Sequence, residues 1–73
     1  MITGTQVRMA RAALRWKVAE LAKRAGVAPN TVVRIESGER VNHSTLDVVV
    51  RALERGGVRF EGVSVSPPEE IAA

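Results

Sequence analysis

Seventy-three residues with 45% hydrophobic and 26% charged side chains can form one small domain with a modest core. With no cysteine and a single histidine there is no disulfide and no ligand cluster for structural zinc, so no metal or cofactor is expected. The opening residues lack a signal-peptide pattern and no apolar run approaches a membrane span, which makes the cytoplasm the expected compartment. The net charge of +3 is unevenly spread: residues 1–40 hold eight Lys/Arg against three Asp/Glu, and residues 41–73 hold three against five. A polyanion is therefore drawn to the N-terminal part, with the C-terminal third turned away.

In chain order, the first predicted helix covers residues 5–15, with Val7, Ala10 and Leu14 on its inner face and Thr5 as its cap. Trp16 stands at the following corner and is expected to pack over the junction of the first two helices. A second helix spans residues 18–25, where Leu21, Ala22 and Ala25 repeat at helical spacing up to Gly26. Gly26 supplies the positive φ that ends it abruptly, Val27 plugs the elbow, and Ala22 is small enough for a close helix crossing. Pro29 suits the first turn of a third helix over residues 29–37, which Gly38 ends. Its inner face is Val32 and Ile35; the opposite face presents Asn30, Val33 and Arg34, side-chain types that read base edges. Helix, tight turn, helix is the layout of a helix-turn-helix, and it points to double-stranded DNA.

The loop at residues 39–43 leads to a fourth helix predicted from Ser44, where Ser44 and Asp47 are spaced as a capping box. Leu46, Val49, Val50 and Leu53 form its apolar stripe, and Gly56-Gly57 stops it. Residues 58–66 then alternate in the two-residue period of a strand, Val58 and Phe60 facing one way, Arg59 and Glu61 the other. A lone strand leaves unpaired backbone, so it must fold back near Glu61-Gly62 or pair with a second chain. Pairing with a second copy is favoured, because an isolated hairpin is marginal and an intermolecular sheet would bury Val58, Phe60 and Val63 at a dimer interface. Residues 67–73 are expected to be a disordered tail, and their Ile-Ala-Ala end resembles the termini that bacterial energy-dependent proteases recognise. The domain plan is thus residues 1–57 for DNA binding, 58–66 for dimerisation and 67–73 for the tail.

The stretch LAKRAGVAPNTVVRIESGE resembles the Cro/repressor family of bacterial and phage regulators, whose fold is lambda-repressor-like; the match covers roughly residues 5–56. It is carried by Leu21-Ala22, Gly26, Val32 and Ile35-Glu36. The resemblance implies a mainly α, four-helix fold and an ion pair between Arg11 on the first helix and Glu36 closing the third. It also implies that the loop after the third helix runs along the DNA backbone, which makes Arg40 and Asn42 phosphate contacts. The chain departs from the family in having Lys17 and Val18 where Ser or Thr followed by Gln is usual, and Ala28 in place of a Ser or Thr cap. Lys17 would substitute a less directional phosphate contact for the glutamine, and the missing cap would cost about 0.5–2 kcal/mol locally.

These readings combine into a homodimeric regulator of transcription, associated with the nucleoid, that lays the third helix of each copy into the major groove of an inverted repeat. Arg34 would grip guanine, Asn30 adenine, Val33 and Pro29 a thymine methyl, and Thr31, Lys17, Arg40 and Asn42 phosphates. No serine has a histidine partner in a recognised spacing and no glycine-rich loop precedes a lysine, so no enzyme is expected. The single aromatic on the strand argues against an RNA-binding sheet, and no small-molecule ligand is expected. The competing reading is a protein-interaction module on the same fold, an antitoxin or accessory factor with a protein partner.

Overall fold

The computed structural model of the protein describes residues 2–61 and 64–67. Four helices, α1 (Gly4–Ala13), α2 (Val18–Ala25), α3 (Pro29–Glu36) and α4 (His43–Arg55), precede two short strands, β1 (Arg59–Glu61) and β2 (Ser64–Ser66). Each helix contributes to one core: Val7 and Ala10 from α1, Leu21 and Ala22 from α2, Val32 and Ile35 from α3, Val49, Ala52 and Leu53 from α4; Ala52 is not among the predicted residues, and the predicted Leu14, Ala25, Leu46 and Val50 are only half-buried. At roughly 1.5–3 kcal/mol for each fully buried Val, Leu or Ile, these residues are the main source of stability in so short a chain. In that core α2 packs on both α3 and α4, while α1 crosses α3, α4 and β2.

The start of α1 corrects the predicted cap. Thr3, not Thr5, is the N-cap, accepting from the Gln6 amide at 3.2 Å while Gln6 Oε1 accepts from the Thr3 amide at 2.8 Å. A Thr and a Gln three residues apart satisfy two orphan helix amides reciprocally, which no partner of Thr5 does. The box starts the helix at Gly4, and this glycine is needed for space: a Cβ there would overlap the carbonyl oxygen of Ile35. The N-terminus of α1 thus lies directly on the C-terminal turn of α3.

The start of α4 is also corrected. The helix begins at His43 with Asn42 as N-cap, and the Asn42 carbonyl takes the first helical bond from Leu46 at 3.0 Å. Ser44 is already inside the helix, so its predicted box does not form, and Asp47 instead pairs with Arg51 at 3.0 Å one turn on.

The C-terminal strand reading is revised most. Residues 58–66 are not one strand: β1 and β2 pair antiparallel within the chain, with Arg59 opposite Ser66, Phe60 opposite Val65 and Glu61 opposite Ser64. Val58, expected at a dimer interface, is buried in the chain's own core. Phe60 and Val65, a cross-strand pair, pack against that core and are only half-buried. Docking on α1 gives the short hairpin the apolar support that an isolated one lacks, which is why folding back suffices. Val63, the third expected interface residue, and the tail at 68–73 lie outside the described residues.

Candidate nucleic-acid interface

The geometry of α2 and α3 follows from how α2 ends. Gly26 at its C-cap takes φ 76, and the amides of Gly26 and Val27 bond back to the carbonyls of Lys23 (3.3 Å) and Ala22 (3.0 Å). This left-handed ending turns the chain sharply into Ala28 and Pro29. No side chain caps α3, but Pro29 at its first turn has no amide to satisfy and has its φ already helical. With Val32 and Ile35 buried beneath, Pro29, Asn30, Val33 and Arg34 are exposed, and Val33 is 50% exposed although apolar. An aliphatic side chain held out in water beside an amide and a guanidinium suits a base edge better than it suits solvent.

The inner end of α3 is fixed by Arg11 and Glu36. Arg11 Nε donates to Glu36 Oε2 at 2.7 Å and Nη2 to Oε1 at 3.0 Å, while Nη1 donates to the Trp16 carbonyl at 2.9 Å. The pair is mostly withdrawn from water, with side-chain exposures of 19% and 9%. The hydrogen bond that Arg11 donates to Glu36 raises the Arg11 pKa above its ordinary value, outweighing the lowering by burial, and the carboxylate charge adds to the rise. One guanidinium therefore ties α1, the corner before α2 and the end of α3 together.

Trp16 completes that corner. It is half-buried with Leu14 against the end of α4, where a Cβ on Gly56 would come within 2.7 Å of its ring. The Arg24 guanidinium, itself paired with Glu20, lies 4.4 Å above the ring centroid.

The polar residues fall into two groups. Thr31 and Arg34 from α3, Arg40, Val41 and Asn42 from the loop, and Thr45 from α4 line one open depression. Asn42 sits at the N-terminus of α4, where unpaired helix amides favour an anion. Lys17 belongs to a different depression, with Arg15, Trp16, Ala19 and Glu20. Lys17 and Arg40 are exposed and carry no ion pair among the described residues, whereas Arg34 is engaged by Glu39 at 3.2 Å. Sequence reasoning misses both Glu39 and Thr45. A signal for Glu39 exists, since a glycine closing a helix brings the residue after it back towards the last turn.

The sequence model of the helix-turn-helix domain matches residues 3–64. The chain belongs to that family. The match is consistent with a helix-turn-helix regulator of the Cro/repressor kind. As a helix-turn-helix domain the chain is assigned DNA binding, in the setting of transcriptional regulation, with α2 and α3 as the two helices of the motif. No curated protein matches the chain significantly. Among the described residues no helix is long and apolar enough to cross a membrane.

Proposed function

We propose that the protein is a sequence-specific regulator of transcription that binds double-stranded DNA as a homodimer, with α3 of each copy in successive major grooves of an inverted repeat. The observation that carries this reading is the outer face of α3, where Asn30, Val33 and Arg34 are exposed side by side above a buried Val32 and Ile35. Arg34 is the reader of guanine O6 and N7, Asn30 of adenine, and Val33 with Pro29 of a thymine methyl. Thr31, Arg40 and Asn42 share one depression beside that face and take the adjoining phosphates, with the α4 amides behind them. Lys17 contributes a separate phosphate contact from the start of α2.

Two copies are required because an eight-residue helix spans only a half-site. The two-stranded hairpin supports this, since each of its strands has an edge without a further strand partner among the described residues.

The test is selection from random duplex DNA, followed by salt titration on the winning site with an Arg34→Ala control. The expected result is an inverted repeat with half-sites about one helical turn apart, bound by a species that sediments as a dimer. Lys17→Ala and Arg40→Ala should weaken all sequences alike and each reduce the salt slope by about one unit. A selection that enriches nothing would favour the protein-interaction module.

A further inference from the structure

The end of α3 joins the proposed base reader to an acid. Past the C-cap Ser37, Gly38 adopts φ 91 and reverses the chain, its amide donating to the Ile35 carbonyl at 3.1 Å and the Glu39 amide to the Arg34 carbonyl at 3.0 Å. Such an ending brings the residue after the glycine against the residue that supplies the far carbonyl, and the contact between them is usually apolar. In α2, which ends with the same two bonds, the equivalent residues are Val27 and Ala22. In α3 they are Glu39 and Arg34, and the contact is an ion pair with Arg34 Nε donating to Glu39 Oε1 at 3.2 Å. Ser37 Oγ also donates to the Arg34 carbonyl at 2.9 Å, so the backbone beneath the guanidinium is held from two sides.

The division of donors gives this pair its meaning. Glu39 engages Nε alone, and the two terminal nitrogens of Arg34 carry no bond among the described residues. Those nitrogens are available to a guanine edge, while Nε fixes the plane of the fork. Both partners are about half-exposed, so the pair contributes little to folding. It does bring a carboxylate to the end of the face that meets DNA, where it repels phosphate.

We propose that Glu39 is a specificity-determining residue: it orients the Arg34 fork through Nε towards a guanine and disfavours DNA that offers no guanine there. The inference rests on the major-groove reading of α3. On the cognate site the bidentate contact offsets the repulsion of the carboxylate by the backbone; on other sequences the repulsion stands uncompensated.

The experiment measures binding of wild type, Glu39→Ala, Glu39→Gln, Arg34→Ala and the Arg34→Ala/Glu39→Ala double variant. The probes are the duplex recovered by selection, its base substitutions at the Arg34 position, and random duplex DNA at one salt concentration. Glu39→Ala should bind random DNA severalfold tighter and lose about tenfold in its preference for guanine at that position. Glu39→Gln keeps an oxygen for Nε without the charge, so it should recover most of the guanine preference while still binding random DNA more tightly. In the Arg34→Ala background the Glu39→Ala substitution should change no base preference, and unchanged melting temperatures would exclude misfolding as the cause. A Glu39→Ala protein with full guanine preference, or a Glu39→Gln protein no better than Glu39→Ala, overturns the role of Glu39 while a sensitive Arg34→Ala leaves the major-groove reading standing. An Arg34→Ala protein that keeps the preference overturns both.

Discussion

The inner and outer faces of α3 each carry an arginine–glutamate pair, and the two pairs do different work. Arg11 and Glu36 meet through two parallel hydrogen bonds at 2.7 and 3.0 Å, nearly out of solvent, and a third donor of the same guanidinium holds the Trp16 carbonyl. Arg34 and Glu39 meet through one bond at 3.2 Å with about half of each side chain in water. The same chemistry is structural where water is mostly excluded and all three guanidinium nitrogens are engaged. Where water competes and donors are left over, it adds little to stability and leaves nitrogens for a ligand. An exposed pair contributes little to folding, so Arg34 can turn its two terminal nitrogens to DNA while Glu39 keeps Nε, and the helix that presents it stays folded.

The inner pair depends most on Glu36. Glu36→Ala leaves the Arg11 guanidinium mostly buried and without its anion, which should cost about 3 kcal/mol, towards the low end for a broken buried pair because Arg11 keeps some contact with water. In a domain of this size that lowers the melting temperature by roughly 10–25 °C. A loss below about 1 kcal/mol in urea denaturation would put the inner pair in the class of surface pairs and remove the contrast.

Gly4→Ala probes the other tie on the inner side. Helix propensity alone predicts a gain, since alanine is favoured over glycine by up to about 1 kcal/mol within a helix. The structure predicts the opposite sign: the new Cβ collides with the Ile35 carbonyl oxygen, and relieving that overlap moves α1 off α3, at a cost of about 1–3 kcal/mol. Thermal melting decides between the signs, and a stabilised Gly4→Ala protein would mean that the two helix ends do not approach so closely.

The inner face of α3 is readable from the chain because it rests on local rules. Val32 and Ile35 follow helical period, Gly26 ends α2 where its φ requires, and Pro29 begins α3 where its missing amide is harmless. What the chain alone misleads about depends on contacts between distant residues or on a choice between equal local signals. The cap at Thr3 is instead a local signal that the reading of Thr5 passes over: Gln6 stands three residues after Thr3 in capping-box spacing, whereas Arg8 stands three after Thr5. The alternation of residues 58–66 fits one long strand as well as two short ones, and burial of Val58 beneath the helices is a tertiary event with no local signature. On the outer face, the exposure of Asn30, Val33 and Arg34 follows from period, but the carboxylate partner of Arg34 depends on how the chain turns at Gly38.

A smaller effect lies at the corner that Arg11 braces. Arg15 is the one non-glycine residue with positive φ among those described, at 59°, in the turn between α1 and α2. A side chain in this region costs roughly 1 kcal/mol that glycine does not incur, so Arg15→Gly should stabilise the fold by up to about that amount. If denaturation shows a loss instead, contacts of the Arg15 side chain outweigh the backbone term.

The smallest change in stability, and the sharpest statement of the contrast, is expected at Arg34. Removing its side chain breaks only the exposed pair with Glu39 and leaves Val32 and Ile35 packed, so Arg34→Ala should shift folding free energy by less than about 0.5 kcal/mol. The same substitution should cost roughly 1–3 kcal/mol of discrimination at one base of the selected site. Two measurements on one protein then separate the faces: an unchanged melting curve beside a lost base preference assigns the outer arginine to DNA. A melting temperature that falls as far as that of Glu36→Ala would show that both pairs belong to the scaffold, and the reader of the groove would have to be sought at Asn30 and Val33.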